Sequence, residues 1–106
     1  MNPRIRTILA ELRSRFEALY GDRLVKLILY GSQARGDAKP DSDIDVLVVL
    51  KGEVDPFAEI ERGSHVTADV SLEHDVVIST VYLPEERYNR GGGPLLLNVR
   101  AEGVSV

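Results

Sequence analysis

Two short groups of residues carry the chemistry that this sequence offers. Gly31 and Ser32 follow an apolar segment, and Asp43 and Asp45 open the next one. A glycine lets the backbone approach a phosphate closely, and the serine adds a hydroxyl and a backbone N–H beside it. The aspartates are two residues apart, so on a strand they would lie on the same face, about 6–7 Å from each other. Their charges would repel unless a cation lies between them. The pattern predicts a site for a triphosphate and metal ions.

A third carboxylate is expected from the next predicted strand, which begins at Asp75. Oxygen ligands of this kind suit magnesium, which keeps several waters and is usually completed by substrate phosphates. Asp75 could join one ion and take a proton from an attacking hydroxyl. The three acids and the Gly-Ser bend together predict phosphoryl or nucleotidyl transfer assisted by two metal ions.

Each of these residues also has a simpler explanation. A Gly-Ser pair after a strand is most often only a turn, Asp-x-Asp at a strand start is usually solvated, and Asp75 alone carries almost no signal. The prediction depends on their conjunction, because Gly-Ser, ten residues and Asp-x-Asp arise together by chance in roughly one chain in a thousand of this length. Two rival motifs fail, since an EF-hand would need Gly at Val46 and Glu at Gly52, and a Walker loop would need Lys at Asp37.

Apolar periodicity predicts the elements that position these residues. An amphipathic helix is expected over residues 3–20, with Asn2 as its cap and Pro3 in its first turn. Strands are predicted over residues 24–30, 44–50 and 75–82. Further helices are predicted from Asp55 onward, from Pro84, and over residues 95–100, with one helical turn around residues 33–35. The pattern indicates an α/β fold with a small mixed sheet of three to four strands, flanked by helices.

The connections between the strands predict where the candidate residues meet. The link between the first two strands is too short for a crossover, so this pair should be antiparallel. The second and third strands are joined through a helix, so they can run parallel. Gly31, Ser32, Asp43, Asp45 and Asp75 would then share one end of the sheet.

Composition excludes several other classes of protein. The 106 residues fit one domain, over residues 1–106, and the absence of cysteine removes disulfides, thiolate zinc sites and cysteine nucleophiles. The net charge of −4 argues against nucleic acid as a partner. The longest apolar run, residues 46–50, is far too short for a membrane span, and the N-terminus lacks an apolar leader, so we expect a cytoplasmic protein with no membrane partner.

Other polar residues are interpreted as structural. His65 and His74 are expected to be structural or solvated, and Glu59 and Glu61 are expected to lie on a solvated helix face.

The central residues resemble a known signature. Gly31-Ser-Gln-Ala-Arg-Gly36 followed by Ser42-Asp-Ile-Asp-Val-Leu-Val-Val49 resembles that of the DNA polymerase β-like nucleotidyltransferase superfamily. The short chain and the ending Val99-Arg-Ala-Glu-Gly-Val104 resemble its minimal nucleotidyltransferase branch, the MntA-type antitoxins of HEPN/MNT toxin–antitoxin systems. The resemblance implies a nucleotidyltransferase fold over nearly the whole chain.

The resemblance also implies a role for each matching residue. Gly31 and Ser32 match the pair that holds the nucleotide triphosphate, and Arg35 matches a basic position that touches phosphates. Asp43 and Asp45 match the carboxylates that bind two magnesium ions.

Asp75, in His74-Asp-Val-Val77, matches the third carboxylate of the family, which joins the metal site and helps to deprotonate the acceptor. Asp69 and Glu73 lie close by in the chain, and the predicted strand register favours Asp75 over them.

The resemblance implies an ATP-dependent protein adenylyltransferase that acts as an antitoxin. In this family a tyrosine of a HEPN-domain ribonuclease toxin attacks the α-phosphorus of ATP, and pyrophosphate leaves. Two alternatives remain open at this point: the same fold could neutralise the toxin by stoichiometric binding without catalysis, or it could transfer a nucleotide to a small molecule or an RNA end.

Overall fold

A four-stranded sheet carries helices on both of its faces. The computed structural model describes residues 2–106. The strands are β1 (Leu24–Tyr30), β2 (Ile44–Leu50), β3 (Ile78–Pro84) and β4 (Val104–Ser105). The helices are α1 (Pro3–Tyr20), α2 (Ser32–Arg35), α3 (Pro56–His74), α4 (Glu85–Arg90) and α5 (Pro94–Glu102), with a short 3-10 turn over Gly21–Arg23. None of these helices is both long enough and apolar enough to span a bilayer.

The sheet topology confirms the predicted α/β fold and adds a strand to it. The strand order is β3-β2-β1-β4. β1 and β2 run antiparallel, and β2 and β3 run parallel through the α3 crossover, as their connections predicted. The predicted sheet had three to four strands, and the fourth is β4, whose residues the sequence did not indicate; it pairs antiparallel with β1, with Val104 opposite Leu29. The end of β1 and the starts of β2, β3 and β4 therefore meet at one end of the sheet, called here the site end.

α1 is stabilised by local signals and by burial of one face. The Asn2 side chain accepts a hydrogen bond from the Arg4 N–H at 2.8 Å, and the helix ends before Gly21. Its buried stripe is Ile5, Ile8, Leu9, Leu12, Phe16 and Tyr20, the spacing that predicted the helix. α1 and α3 cover one face of the sheet, and α5 covers the other.

α3 is one continuous helix in spite of its central glycine. A β-carbon at Gly63 would lie 2.1 Å from the Tyr82 hydroxyl oxygen, so the glycine allows α3 to pack directly on β3. The prediction for Glu59 was wrong, because its side chain is only 4% exposed. Glu59 pairs with Arg23 at 3.1 Å and with Arg62 at 3.2 Å, and these partners compensate for the burial of its charge.

The third strand begins three residues later than the sequence pattern predicted. α3 continues to His74, and Asp75 ends it in a left-handed conformation with φ 53° and ψ 53°. The Asp75 N–H donates to the Ser71 carbonyl, and aspartate tolerates this conformation better than most residues. β3 starts only at Ile78, so Asp75 is a helix cap and not the first residue of a strand.

Candidate active site

Gly31 forms the bend at the end of β1. Its φ of 77° and ψ of −159° lie in a region that essentially only glycine adopts, and its carbonyl accepts the N–H groups of Ala34 and Arg35 at 3.1 Å. A β-carbon at Gly31 would lie 2.4 Å from Asp45 Oδ2. The glycine therefore brings the backbone of the bend into direct contact with a carboxylate of the candidate metal site.

Asp43 and Asp45 lie at the start of β2, on the face that the bend approaches. Asp45 is opposite Tyr30 of β1 and opposite Ser79 of β3. The Ser79 hydroxyl donates to Asp43 Oδ2 at 3.4 Å, which places Asp43 beside the same β3 residue. The sequence pattern identified the two aspartates, but Ser79 emerges only from the strand register.

The two aspartates lack a compensating cation. Within residues 2–106, neither Asp43 nor Asp45 forms an ion pair with a lysine, arginine or histidine. Burial raises the pKa of Asp45, repulsion from Asp43 raises it further, and the charge of Arg35 acts in the opposite direction. Ionisation of Asp45 therefore destabilises the folded protein, and a bound cation would offset this effect.

The donor set fits a hard divalent cation. Asp43 is exposed and Asp45 is half-buried, so their oxygens face both solvent and protein. Magnesium prefers such carboxylate oxygens and keeps positions for water and phosphate oxygens. Asp43 and Asp45 are therefore the residues that would hold metal ions here.

Arg35 is engaged by carboxylates at the site end. Its Nη1 donates to Glu102 Oε2 at 2.8 Å, and its Nε donates to Asp37 Oδ2 at 3.1 Å. The other oxygen of Glu102 accepts the Gly31 N–H at 3.3 Å. Sequence reasoning gave Glu102 no role, since its only signal was membership of the chain ending that supported the family resemblance.

Asp75 does not join the two aspartates to form a compact cluster. In the part of the chain that the structure describes, the trio of acidic and histidine side chains with ligand atoms within 4.8 Å of one another is Glu11, Glu73 and His74. This trio lies between α1 and the end of α3. Asp75 is exposed beside it, and its role in the site stays a prediction.

An open cavity lies elsewhere in the molecule. It measures about 1000 Å³, and its lining includes Arg23, Lys51, Glu53 and Arg62. Lys51 directly follows the end of β2, whereas Asp43 directly precedes its start. The cavity therefore opens at the opposite end of the sheet and contains none of the predicted site residues.

A glycine–serine bend against two uncompensated aspartates defines a site suited to phosphoryl or nucleotidyl transfer. A model of the nucleotidyltransferase domain family matches residues 5–92, and the chain belongs to this family. A protein of Methanocaldococcus jannaschii named "Putative protein adenylyltransferase MJ0141" is 34% identical over 74 residues, covering 70% of this chain and 74% of the relative.

Solved structures share the fold at lower identity. A chain in the crystal structure of a toxin–antitoxin with AMP-PNP superposes with a TM-score of 0.61 at 21% identity, over 89% of this chain and 68% of that one. A chain in the complex of a tri-AMPylated Shewanella oneidensis HEPN toxin with an MNT antitoxin gives a TM-score of 0.53 at 17% identity, over 92% and 70%. The predicted nucleotidyltransferase fold is thereby confirmed.

Proposed function

We propose that this protein is an antitoxin that transfers AMP from ATP to a tyrosine of a partner HEPN ribonuclease toxin. The observation that carries the proposal is the contact between Gly31 and Asp45 at the site end, next to Asp43, where neither acid has a salt-bridge partner among residues 2–106. The name of the Methanocaldococcus relative supports a protein acceptor, and the toxin–antitoxin complexes that share the fold support a toxin as that acceptor.

In this proposal the nucleotide tail binds at the bend. Gly31 and Ser32 offer backbone N–H groups and a hydroxyl to the phosphates, and Arg35 offers a guanidinium. Asp43 and Asp45 would hold two magnesium ions, which when bound supply positive charge to the attacking and leaving oxygens.

The reaction is a displacement at the α-phosphorus of ATP. The tyrosine oxygen forms a bond to this phosphorus while the bond to the oxygen bridging towards the β-phosphorus breaks, and pyrophosphate leaves with that electron pair. The phenol proton needs an acceptor, and we assign this role to Asp75. Asp75→Asn tests the assignment, because asparagine tolerates the left-handed helix cap and removes only the charge. AMP transfer should fall with folding unchanged, and full activity would exclude Asp75 as the base.

The experiment that tests the proposal is mass measurement of the partner. The protein is incubated with ATP, magnesium and the product of the adjacent reading frame, and the intact mass of that product is recorded. We expect one or more AMP-sized increments, which disappear with EDTA and with the Asp43→Asn, Asp45→Asn double variant. An unmodified partner under all conditions would contradict the proposal.

The same double variant separates catalysis from simple binding. If it neutralises the toxin at equimolar amounts without modifying it, the protein acts by stoichiometric binding. If neutralisation requires ATP and both aspartates, it acts by transfer. AMP found on a small molecule or an RNA end, with the partner protein unmodified, would support the third alternative.

A further inference from the structure

One carboxylate occupies the donors that the proposed nucleotide tail would use. Glu102 accepts the Gly31 N–H through Oε1 at 3.3 Å and the Arg35 Nη1–H through Oε2 at 2.8 Å. The Glu102 side chain is only 16% exposed and that of Arg35 is 48% exposed, so the bond to Gly31 is partly buried and the bond to Arg35 is open to solvent on the arginine side. A carboxylate and a phosphate accept the same geometry of donors, and a donor hydrogen satisfied by one is not free for the other.

Backbone pairing holds Glu102 in this position. α5 ends at Glu102, the Gly103 N–H donates to the Val99 carbonyl at 2.7 Å, and Val104 then pairs with Leu29 of β1. Since β1 leads directly into Gly31, the β1–β4 pairing fixes the end of α5 beside the bend. The contact is therefore part of the fold and not a chance meeting of two long side chains.

The charges at the site end make this contact a competition. The negative charge of Glu102 also raises the pKa of Asp45, after burial and the charge of Asp43. By geometry, Asp45 lies against Gly31, Glu102 accepts the Gly31 N–H, and Arg35 pairs with Glu102 and with Asp37. A triphosphate adds further negative charge, so it cannot share the Gly31 N–H and the Arg35 guanidinium with an ionised Glu102 at low cost.

We propose that Glu102 is an internal competitor of the nucleotide tail, which holds the Gly31 N–H and Arg35 in the nucleotide-free protein and leaves them when ATP binds. The inference rests on the proposed function, because it takes Gly31 and Arg35 as phosphate ligands. Its consequence is that the affinity for ATP is limited by this contact as well as by the groups that bind ATP.

Nucleotide binding by isothermal titration tests the inference without requiring the transfer reaction. Glu102→Gln keeps the shape of the side chain and removes the charge. We expect its Kd for ATP with magnesium to fall about tenfold, the equivalent of one charge-assisted hydrogen bond. Its Kd for adenosine, which has no phosphate, should not change.

Asp37→Asn is the matched control. Asp37 also pairs with Arg35, at 3.1 Å, but its side chain is 62% exposed. Both variants change the net charge equally, so a general electrostatic effect would increase affinity equally in both. We expect Asp37→Asn to change the Kd for ATP less than about threefold, as for an exposed ion pair.

Thermal unfolding distinguishes competition from a structural role. Without nucleotide, Glu102→Gln should lower Tm because it weakens the bonds to Gly31 and Arg35, while its affinity for ATP increases. If Glu102 had only a structural role, its substitution would lower both Tm and the affinity for ATP. An equal or weaker affinity for ATP in Glu102→Gln would therefore overturn the inference. If the affinity does not increase while the parent protein still modifies its partner, the inference about Glu102 is wrong and the proposed function is unaffected. If neither protein binds ATP, both proposals are wrong.

Discussion

Two acidic regions of this molecule have similar composition and opposite electrostatics. The site-end pair consists of Asp43 and Asp45, and the helix-end cluster consists of Glu11, Glu73 and His74. In the helix-end cluster His74 Nε2 lies 2.6 Å from Glu11 Oε2, and this hydrogen bond lowers the pKa of Glu11. In the site-end pair the partner is the hydroxyl of Ser79, and the pKa of Asp45 is raised.

This difference indicates which acidic side chains are free to bind a ligand. In the helix-end cluster the imidazole of His74 is the partner of Glu11, and this contact links the end of α3 to α1. Among residues 2–106 the site-end pair has no salt-bridge or histidine partner, and the charge of Arg35 only partly offsets the burial of Asp45 and its repulsion from Asp43. A raised pKa at a half-buried carboxylate beside a second acid is typical of functional sites. Substitutions in the two regions should therefore have different effects on activity and on stability.

Asp43→Asn combined with Asp45→Asn should reduce AMP transfer by at least about a thousandfold, because both proposed metal ligands lose their charge. The measurement is the rate of mass increase of the partner protein. Glu11→Gln combined with Glu73→Gln is the control, since it removes the same number of charges from the helix-end cluster. Equal losses in the two double variants would erase the distinction between the regions.

Gly31→Ala should reduce AMP transfer about a hundredfold and destabilise the fold by roughly 1–3 kcal/mol, because its β-carbon would contact Asp45 Oδ2 and its backbone conformation is strained for alanine. Transfer rates and urea unfolding measure the two effects. Gly91→Ala is the matched control, because Gly91 has nearly the same backbone angles, φ 74° and ψ −162°, but its β-carbon would meet no atom closer than 3.6 Å. A similar loss of activity in Gly91→Ala would show that strain alone is responsible.

Asp45→Asn should raise Tm by about 2–4 °C at neutral pH in the absence of metal, because it removes a carboxylate whose charged form the fold disfavours. Since folding raises the pKa of Asp45, the parent loses stability as pH rises through the interval between the ordinary and the raised pKa. The gain in Tm should therefore vanish below the ordinary pKa of aspartate. Scanning calorimetry across this pH range is the measurement, and a lower Tm for Asp45→Asn at neutral pH would contradict the assignment.

Glu11→Gln and Glu73→Gln should shift Tm by less than about 2 °C, in opposite directions, because Glu73 is exposed and Glu11 is only partly buried. The hydrogen bond to His74 lowers the pKa of Glu11, so ionised Glu11 stabilises the fold at neutral pH and this stability is lost as pH falls through the lowered pKa. The hydrogen bond with Glu11 raises the pKa of Glu73, so its ionised form destabilises the fold above that pKa. Thermal scans should show Glu11→Gln lower and Glu73→Gln higher than the parent, and shifts of the same sign would refute this account.

Elements defined by local signals were predictable from the sequence. The caps and apolar spacing of α1 gave its bounds, and the unbroken apolar run of β2 gave a strand buried on both faces. The short connection between β1 and β2 also predicted their antiparallel pairing. These predictions succeeded because each depends on residues that are neighbours in the chain.

Predictions failed where the neighbouring residues in the chain are compatible with two local structures or two degrees of burial. The residues from Asp75 to Val77 suit a strand, but Asp75 also suits a left-handed helix cap, and the N–H groups of Asp75 and Val76 both donate to the Ser71 carbonyl at the end of α3. Glu59 has the sequence signature of a surface residue, yet Arg23, which is 36 residues away, pairs with it in the interior.

The sequence by itself determined the chemistry of the site: a bend that requires glycine, a serine next to it, and two carboxylates two residues apart. Only the tertiary structure decided what surrounds these groups, because Ser79 reaches Asp43 through strand register and Glu102 reaches Gly31 across 71 residues of chain. Periodicity reports which face of an element is buried, but it carries no information about which distant segment pairs with that element. The uncompensated charge of the aspartates and the contact of Glu102 with the bend both depend on that pairing.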